Sequence, residues 1–186
     1  MRRFSATVAL LLGMSLPAFA GPDEAQAASA GDMRIMEPYI GEFRSVTHVF
    51  DDGKTEYHHL VKYQWFDRPK SIVKFTISMA IPAQQRVITT AEGFYGFDSI
   101  EDRLYVFGAF NDGTSGSGTI CKFDHAKGSR TVCARSMNPD GSVTHVQDSF
   151  EVVDSDTWKN ETRARQGGAG EWQLVYQGVY TRVDAQ

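Results

Sequence analysis

Tyr57, His59, Val61, Tyr63 and Trp65 fall at alternate positions of one predicted strand, so their side chains share a face. Aromatic rings with polar tips suit the inside of a barrel that encloses a cavity. The rings supply apolar contact, and the hydroxyl, imidazole and indole groups orient a guest. Trp172, Leu174, Tyr176, Tyr180 and Arg182 repeat the pattern near the C-terminus, with Gly178 interrupting, and Val73, Phe75, Ile77 and Met79 form an apolar row at the same period. Arg182 shares a face with Tyr180, and a guanidinium fork beside a phenol donor matches a carboxylate. The expected guest is therefore a small apolar or amphipathic molecule, or a carboxylate held at Tyr180 and Arg182. The bland alternative is a filled core whose hydroxyls are satisfied by backbone or water. In that case Arg182, four residues from the chain end, only snorkels to the rim.

The five histidines (His48, His58, His59, His125, His145) form no His-x-His pair and no Cys/His zinc spacing. His58 and His59 are adjacent and point to opposite faces of a strand. No metal and no cofactor is expected on this basis. Were haem to bind, His59 is the candidate on an interior face. Ser, His and Asp all occur, but no Gly-x-Ser-x-Gly elbow does. Glu101-Asp102 and the Asp154/Asp156 pair fall in predicted turns, where carboxylates commonly cap hairpins. No catalytic residue is assigned. An enzyme ranks third, behind a ligand-binding barrel and a structural or interaction module with a filled core. Asn160-Glu161-Thr162 matches a glycosylation sequon but is discounted, because the export signal looks bacterial.

The elements that must position these residues are strands. From Gly41 onward, alternation predicts strands near 41–50, 55–66, 70–80, 86–97, 103–111, 116–123, 129–137, 142–153, 157–165 and 171–183. Asp51-Asp52-Gly53, Asn111-Asp112-Gly113 and Pro139-Asp140-Gly141 place glycine where a hairpin needs positive φ. Asp67-Arg68-Pro69, 124–128 and 166–170 divide the others. Ten short strands joined by local turns predict an all-β, up-and-down antiparallel barrel. The rival is a β-sandwich, which needs a long crossing connection that the sequence lacks. Before the strands, Asp32 caps one short helical turn through Met33, Ile35 and Met36 that ends before Pro38. Cys121 and Cys133 lie on adjacent predicted strands around a turn near Ala126-Lys127. Pairing of residues whose numbers sum to about 254 brings them together as a structural disulfide; a register offset leaves two thiols. Their spacing excludes a Cys-x-x-Cys redox motif.

Residues 1–20 have the organisation of a cleavable signal peptide: Arg2-Arg3, an apolar run from Ala6 to Leu16, and Ala18-Phe19-Ala20 before Gly21. The run is too short to span a bilayer. Residues 21–31 read as a disordered leader and 32–186 as one β domain. The expected location is periplasmic or secreted, where a disulfide persists. Without Arg2 and Arg3, seventeen basic residues face 23 acidic ones, a net charge of −6. With no Lys/Arg cluster, nucleic acid is not an expected partner, and neither is membrane insertion.

The order Pro38-Tyr39-Ile40-Gly41-Glu42-Phe43, Gly93-Phe94-Tyr95-Gly96-Phe97-Asp98, Asp140-Gly141 and Tyr180-Thr181-Arg182 resembles lipocalin-like (calycin) exported bacterial barrels of unknown function. These open with a short helix and an iGxW strand, carry a central GxYxYD strand and end in YxR. Phe43 stands where the pattern has Trp. The resemblance implies a barrel and transfers no activity. The Tyr180/Arg182 pair is similar to the carboxylate grip of fatty-acid-binding barrels. Haem-binding barrels of the nitrobindin type ligate iron through a late histidine, and the final strands here have none.

Overall fold

The computed structural model describes residues 33–49, 55–81, 86–98, 100–101, 103–124, 126–167 and 170–183. The signal peptide, the leader and the Asp51-Asp52-Gly53 turn lie outside the described residues. Ten antiparallel strands form a closed barrel: β1 (Gly41–Val49), β2 (Thr55–Trp65), β3 (Ile72–Ile81), β4 (Arg86–Asp98), β5 (Arg103–Phe110), β6 (Ser115–Asp124), β7 (Ser129–Met137), β8 (Val143–Val152), β9 (Thr157–Gln166) and β10 (Gln173–Arg182). Each strand pairs with its sequence neighbours, and β1 closes on β10 with Phe43 opposite Arg182 and Ser45 opposite Tyr180. Closure leaves no unpaired edge, the constraint that separates this meander from a sandwich.

The turns form because aspartates accept backbone N–H groups that the ladders leave free. Asp112 Oδ1 takes Thr114 N at 2.8 Å, Asp140 Oδ1 takes Ser142 N at 2.9 Å, and Asp154 Oδ1 takes Asp156 N at 2.8 Å. Gly113 (φ 89°) and Gly141 (φ 82°) supply the left-handed backbone after two of these aspartates.

Three bulges interrupt the alternation. In β4, Thr90 has no partner between the pairs Ile77–Ala91 and Ser78–Thr89, and its hydroxyl donates to Ile77 O at 3.1 Å. In β6, Cys121 is the extra residue, and in β10 it is Val175. A bulge re-aims the side chains beyond it. Cys121 and Cys133 form a disulfide with Cα atoms 5.7 Å apart. The pairing around them sums to 252 before the bulge and 253 after it, so the expected 254 register is corrected. Cys121 and Lys122 both face outward between the core-packed Ile120 and Phe123, which leaves Cys121 beside Cys133.

A 3-10 helix over Met33–Tyr39 plugs one end of the barrel, with Met36 and Tyr39 fully buried; it runs through Pro38 instead of ending before it, and the Asp32 cap lies outside the described residues. Against it pack Phe43, Val73, Leu104, Ile120 and Trp158. Arg182 fastens this plug. It donates to Ile40 O at 2.8 Å, Pro38 O at 3.4 Å and Ser155 O at 3.2 Å, pairs with Asp156 at 3.1 Å, and lies 4.6 Å over the Phe43 ring.

Gly93 is where β4 most needs the absence of a side chain. A Cβ there would collide with the Phe107 carbonyl and with the Phe75 ring, which occupies the space, whereas a Cβ on Gly96 meets nothing within 4 Å. Gly93→Ala is expected to destabilise the barrel by about 3 kcal/mol or more, with Gly96→Ala within about 1 kcal/mol of wild type. Urea denaturation of the two variants checks this; equal stabilities would show that Phe75 and β5 yield without cost.

Candidate functional site

The barrel interior divides into a filled part at the plug and a cavity beyond it. The filled part is aromatic. Trp158, 2% exposed, stacks on Tyr180 at 3.8 Å with an interplanar angle of 5°, and its ring also meets Tyr39, Phe43, Tyr63 and Phe150. Beneath that layer Arg130, also 2% exposed, points its guanidinium into ring faces: 3.7 Å from Tyr39, 4.3 Å from Phe150, 5.2 Å from Tyr95 and 5.9 Å from Tyr63. None of its three nitrogens meets the geometry of a hydrogen bond among the described residues. The Tyr95 phenol favours the cation electrostatically from nearby. We take the ring contacts as its principal stabilisation.

The cavity has a volume of about 140 Å³. Val61, Ile77, Val106, Phe110 and Val146 form apolar wall, and Trp158, Tyr180 and Phe150 form the floor. One side is polar. Asp148 of β8 accepts the Asn160 amide at 2.6 Å and the Thr162 hydroxyl, both on Oδ1, while Asn160 also donates to Ser149 O at 3.1 Å. These three residues converge because β8 and β9 pair in register, with Asp148 opposite Thr162 and Phe150 opposite Asn160. Tyr176 of β10, opposite Thr162, completes the group.

Burial raises the pKa of Asp148, and the Thr162 and Asn160 hydrogen bonds and the Arg130 charge offset only part of that rise. Burial also pushes Tyr176 and Tyr63 well above the ordinary phenol value; for Tyr176 the nearby Asp148 charge adds to it. Asp148 and Tyr176 keep some accessible surface although burial dominates their titration, because that surface faces the cavity. A larger groove of about 800 Å³ lies on the outer face of β6 to β10. Its lining mixes Lys122, Lys127, Lys159, Glu151 and Glu161. The interior pocket, by contrast, sets a desolvated carboxyl among rings.

The structure distributes the sequence-derived candidates unevenly. Tyr63, Tyr176 and Tyr180 line the cavity. His59 sits at an inward register position opposite Ser45 and Met79, half-buried, with its pKa lowered first by desolvation and then by His58. The Tyr57 side chain lies outside the described residues. Trp65 is at the plugged end beside Met33, Glu37 and Lys70, away from the cavity. Trp172 precedes β10 on the outer face, under the Arg165 guanidinium at 4.6 Å, because the Val175 bulge inverts the parity of everything N-terminal to it. The expectation that both tryptophans face the interior is thereby corrected for Trp172, whereas Trp65 packs against the core without lining the cavity. Arg182 is likewise removed from the pocket, its donors engaged at the plug. Sequence reasoning missed Trp158, Arg130, Asp148 and Asn160 as interior residues. The available signal was parity: Asp148 alternates with Val146 and Phe150, and a carboxylate on an apolar row has to be accommodated.

No family model and no curated protein matches the chain. Among solved structures, Rv2717c from M. tuberculosis superimposes with a TM-score of 0.62 at 14% identity, over 83% of this chain and 99% of that one. The S-type phycobiliprotein lyase CPES from Guillardia theta gives 0.53 at 9% identity, over 82% and 93%. At these identities the likeness shows a shared barrel fold.

A carboxyl whose folded pKa lies above its unfolded value stabilises the fold relative to its ionised form below about pH 3.9 and loses that contribution as pH rises through the folded pKa. Wild-type stability should therefore fall relative to Asp148→Asn as pH rises across that window. The depressed carboxyls Asp67, Glu92 and Asp140 are common to both proteins and cancel. Paired denaturation curves between pH 3 and 8 read the difference; a constant gap would place Asp148 in water.

Proposed function

We propose that this chain is an exported, calycin-like barrel that binds a small apolar or amphipathic molecule in its interior. The observation that supports it is the cavity itself: about 140 Å³ of space walled by valine, isoleucine and phenylalanine with one polar side. Close-packed interiors hold few voids larger than a water molecule, and apolar protein cavities of about 150 Å³ accept benzene. The size selects the guest. Drug-sized ligands occupy pockets of roughly 300–1,000 Å³, so the molecule is small or inserts one end. Haem does not fit this space, and His59 is not among the residues lining it. A carboxylate guest is disfavoured because the pocket presents Asp148, with Arg182 held at the plug. The phycobiliprotein lyase neighbour is compatible with an interior-binding barrel and names no guest for this one.

Isothermal titration with toluene tests the reading. Toluene should bind wild type, and Val146→Phe, which projects into the cavity, should weaken binding at least about ten-fold, equivalent to roughly 1.4 kcal/mol. No heat of binding to a folded wild type would leave a filled-core structural module as the function.

Export rests on the N-terminal segment, whose charged start, apolar run and Ala18-Phe19-Ala20 site support cleavage before Gly21. Expressed in a bacterial host, the chain should be recovered from the periplasmic fraction with an N-terminus at or near Gly21. Recovery from the cytoplasm with Met1 or Arg2 at its start would refute it.

A further inference from the structure

Building on the interior as a ligand site, we infer that the guest carries a small organic ammonium group, held between the Asp148 carboxylate and the surrounding aromatic rings. Three observations converge on this. The titratable acid on the cavity wall is Asp148, and both of its hydrogen bonds from Asn160 and Thr162 end on Oδ1, so Oδ2 is engaged by neither. The wall around it is aromatic: Tyr63, Tyr95, Tyr176, Tyr180, Trp158 and Phe150 all line the same space. Ring faces attract a cation most strongly when water is excluded. The interior cation, Arg130, does not line the cavity. It lies behind Phe150, Tyr63 and Tyr95, whose rings do line it, so a guest meets the carboxylate directly and the guanidinium only across rings.

The other groups facing Asp148 do not supply a competing charge. Burial holds the phenols of Tyr63, Tyr95 and Tyr176 neutral well past pH 7, and His59 of β2 is pushed toward its neutral form. From β9 the neighbours are the uncharged Asn160 and Thr162. An ammonium that donates a hydrogen bond to Asp148 relieves the carboxylate's desolvation, whereas a neutral guest leaves it and an anion worsens it. The cavity volume fits a head group and a short apolar body, and the apolar wall of Val61, Ile77 and Val106 receives the latter.

Benzylammonium, benzyl alcohol and benzoate share a ring and differ in charge, which makes them the probes. At pH 7, calorimetric titration of the full chain should show benzylammonium binding at least about ten-fold tighter than benzyl alcohol, with benzoate weakest. Asp148→Asn should bring benzylammonium down to the level of benzyl alcohol. Lowering the pH through the Asp148 titration should weaken benzylammonium and leave benzyl alcohol unchanged, a readout on wild type that holds even if the variant does not fold. Equal binding of benzylammonium and benzyl alcohol, or a preference that survives protonation of the carboxyl, would overturn the ammonium assignment while leaving interior binding in place. Binding of none of the three would overturn both.

Discussion

A guanidinium buried among aromatic rings is the constraint around which this barrel is organised. Arg130 leaves water at a cost that hydrogen-bonding oxygens usually offset. Here four ring faces do so, each desolvated cation–π contact contributing about 2 kcal/mol. One of those rings, Tyr39, belongs to the 3-10 plug, and its hydroxyl donates to Gly128 O at 2.8 Å, at the start of the strand that carries Arg130. Plug, β7 and the aromatic floor are thus one unit. The rings that hold the cation also separate it from the cavity, which is why an anion and a cation share one interior without forming a contact pair. Their charges still interact at longer range, since burial raises the Asp148 pKa and the Arg130 charge offsets part of that rise.

The strand plan was legible because alternation and aspartate turns are local. The described connections follow from residues within a few positions of one another, and each predicted strand has an observed counterpart. The sites were less legible because bulges are not local. Nothing in Gln173-Leu174-Val175-Tyr176 marks Val175 as the residue without a partner. That single extra residue moves Trp172 and Leu174 to the outer face and leaves Tyr176 and Tyr180 inside. Cys121 shows the same effect with a different outcome: the disulfide was foreseeable from adjacent strands, but its register was not. Arg130, Asp148 and Asn160 read as ordinary polar residues of half-exposed strands until closure of the sheet decides which parity faces in.

Arg182 and Phe43 give a physical account of why the two ends of the chain carry related signals. They are register partners where β1 closes on β10, and the guanidinium that lies on the Phe43 ring also donates to Pro38 and Ile40. One side chain therefore joins the last strand, the first strand and the plug. A sequence in which Gly41-x-Phe43 and Tyr180-x-Arg182 are 139 positions apart encodes a single contact. Gly41 belongs to it too, because a Cβ there would run into the Arg182 guanidinium. An arginine fixed in this way is a structural clasp, so its proximity to Tyr180 in sequence carries no carboxylate grip.

The residual space beyond the aromatic floor is itself informative. By the relation of about 24 cal/mol for each Å³ of void, an empty cavity of this size would cost the fold on the order of 3 kcal/mol. A module with a purely structural role has a simple remedy, because Ala134 and Ser136 line the space and larger apolar side chains there would reduce it. The chain instead places small residues on one side and a desolvated carboxyl on the other. A void alone destabilises, and a buried carboxylate alone destabilises. A guest that supplied both apolar volume and a positive charge would offset both penalties at once.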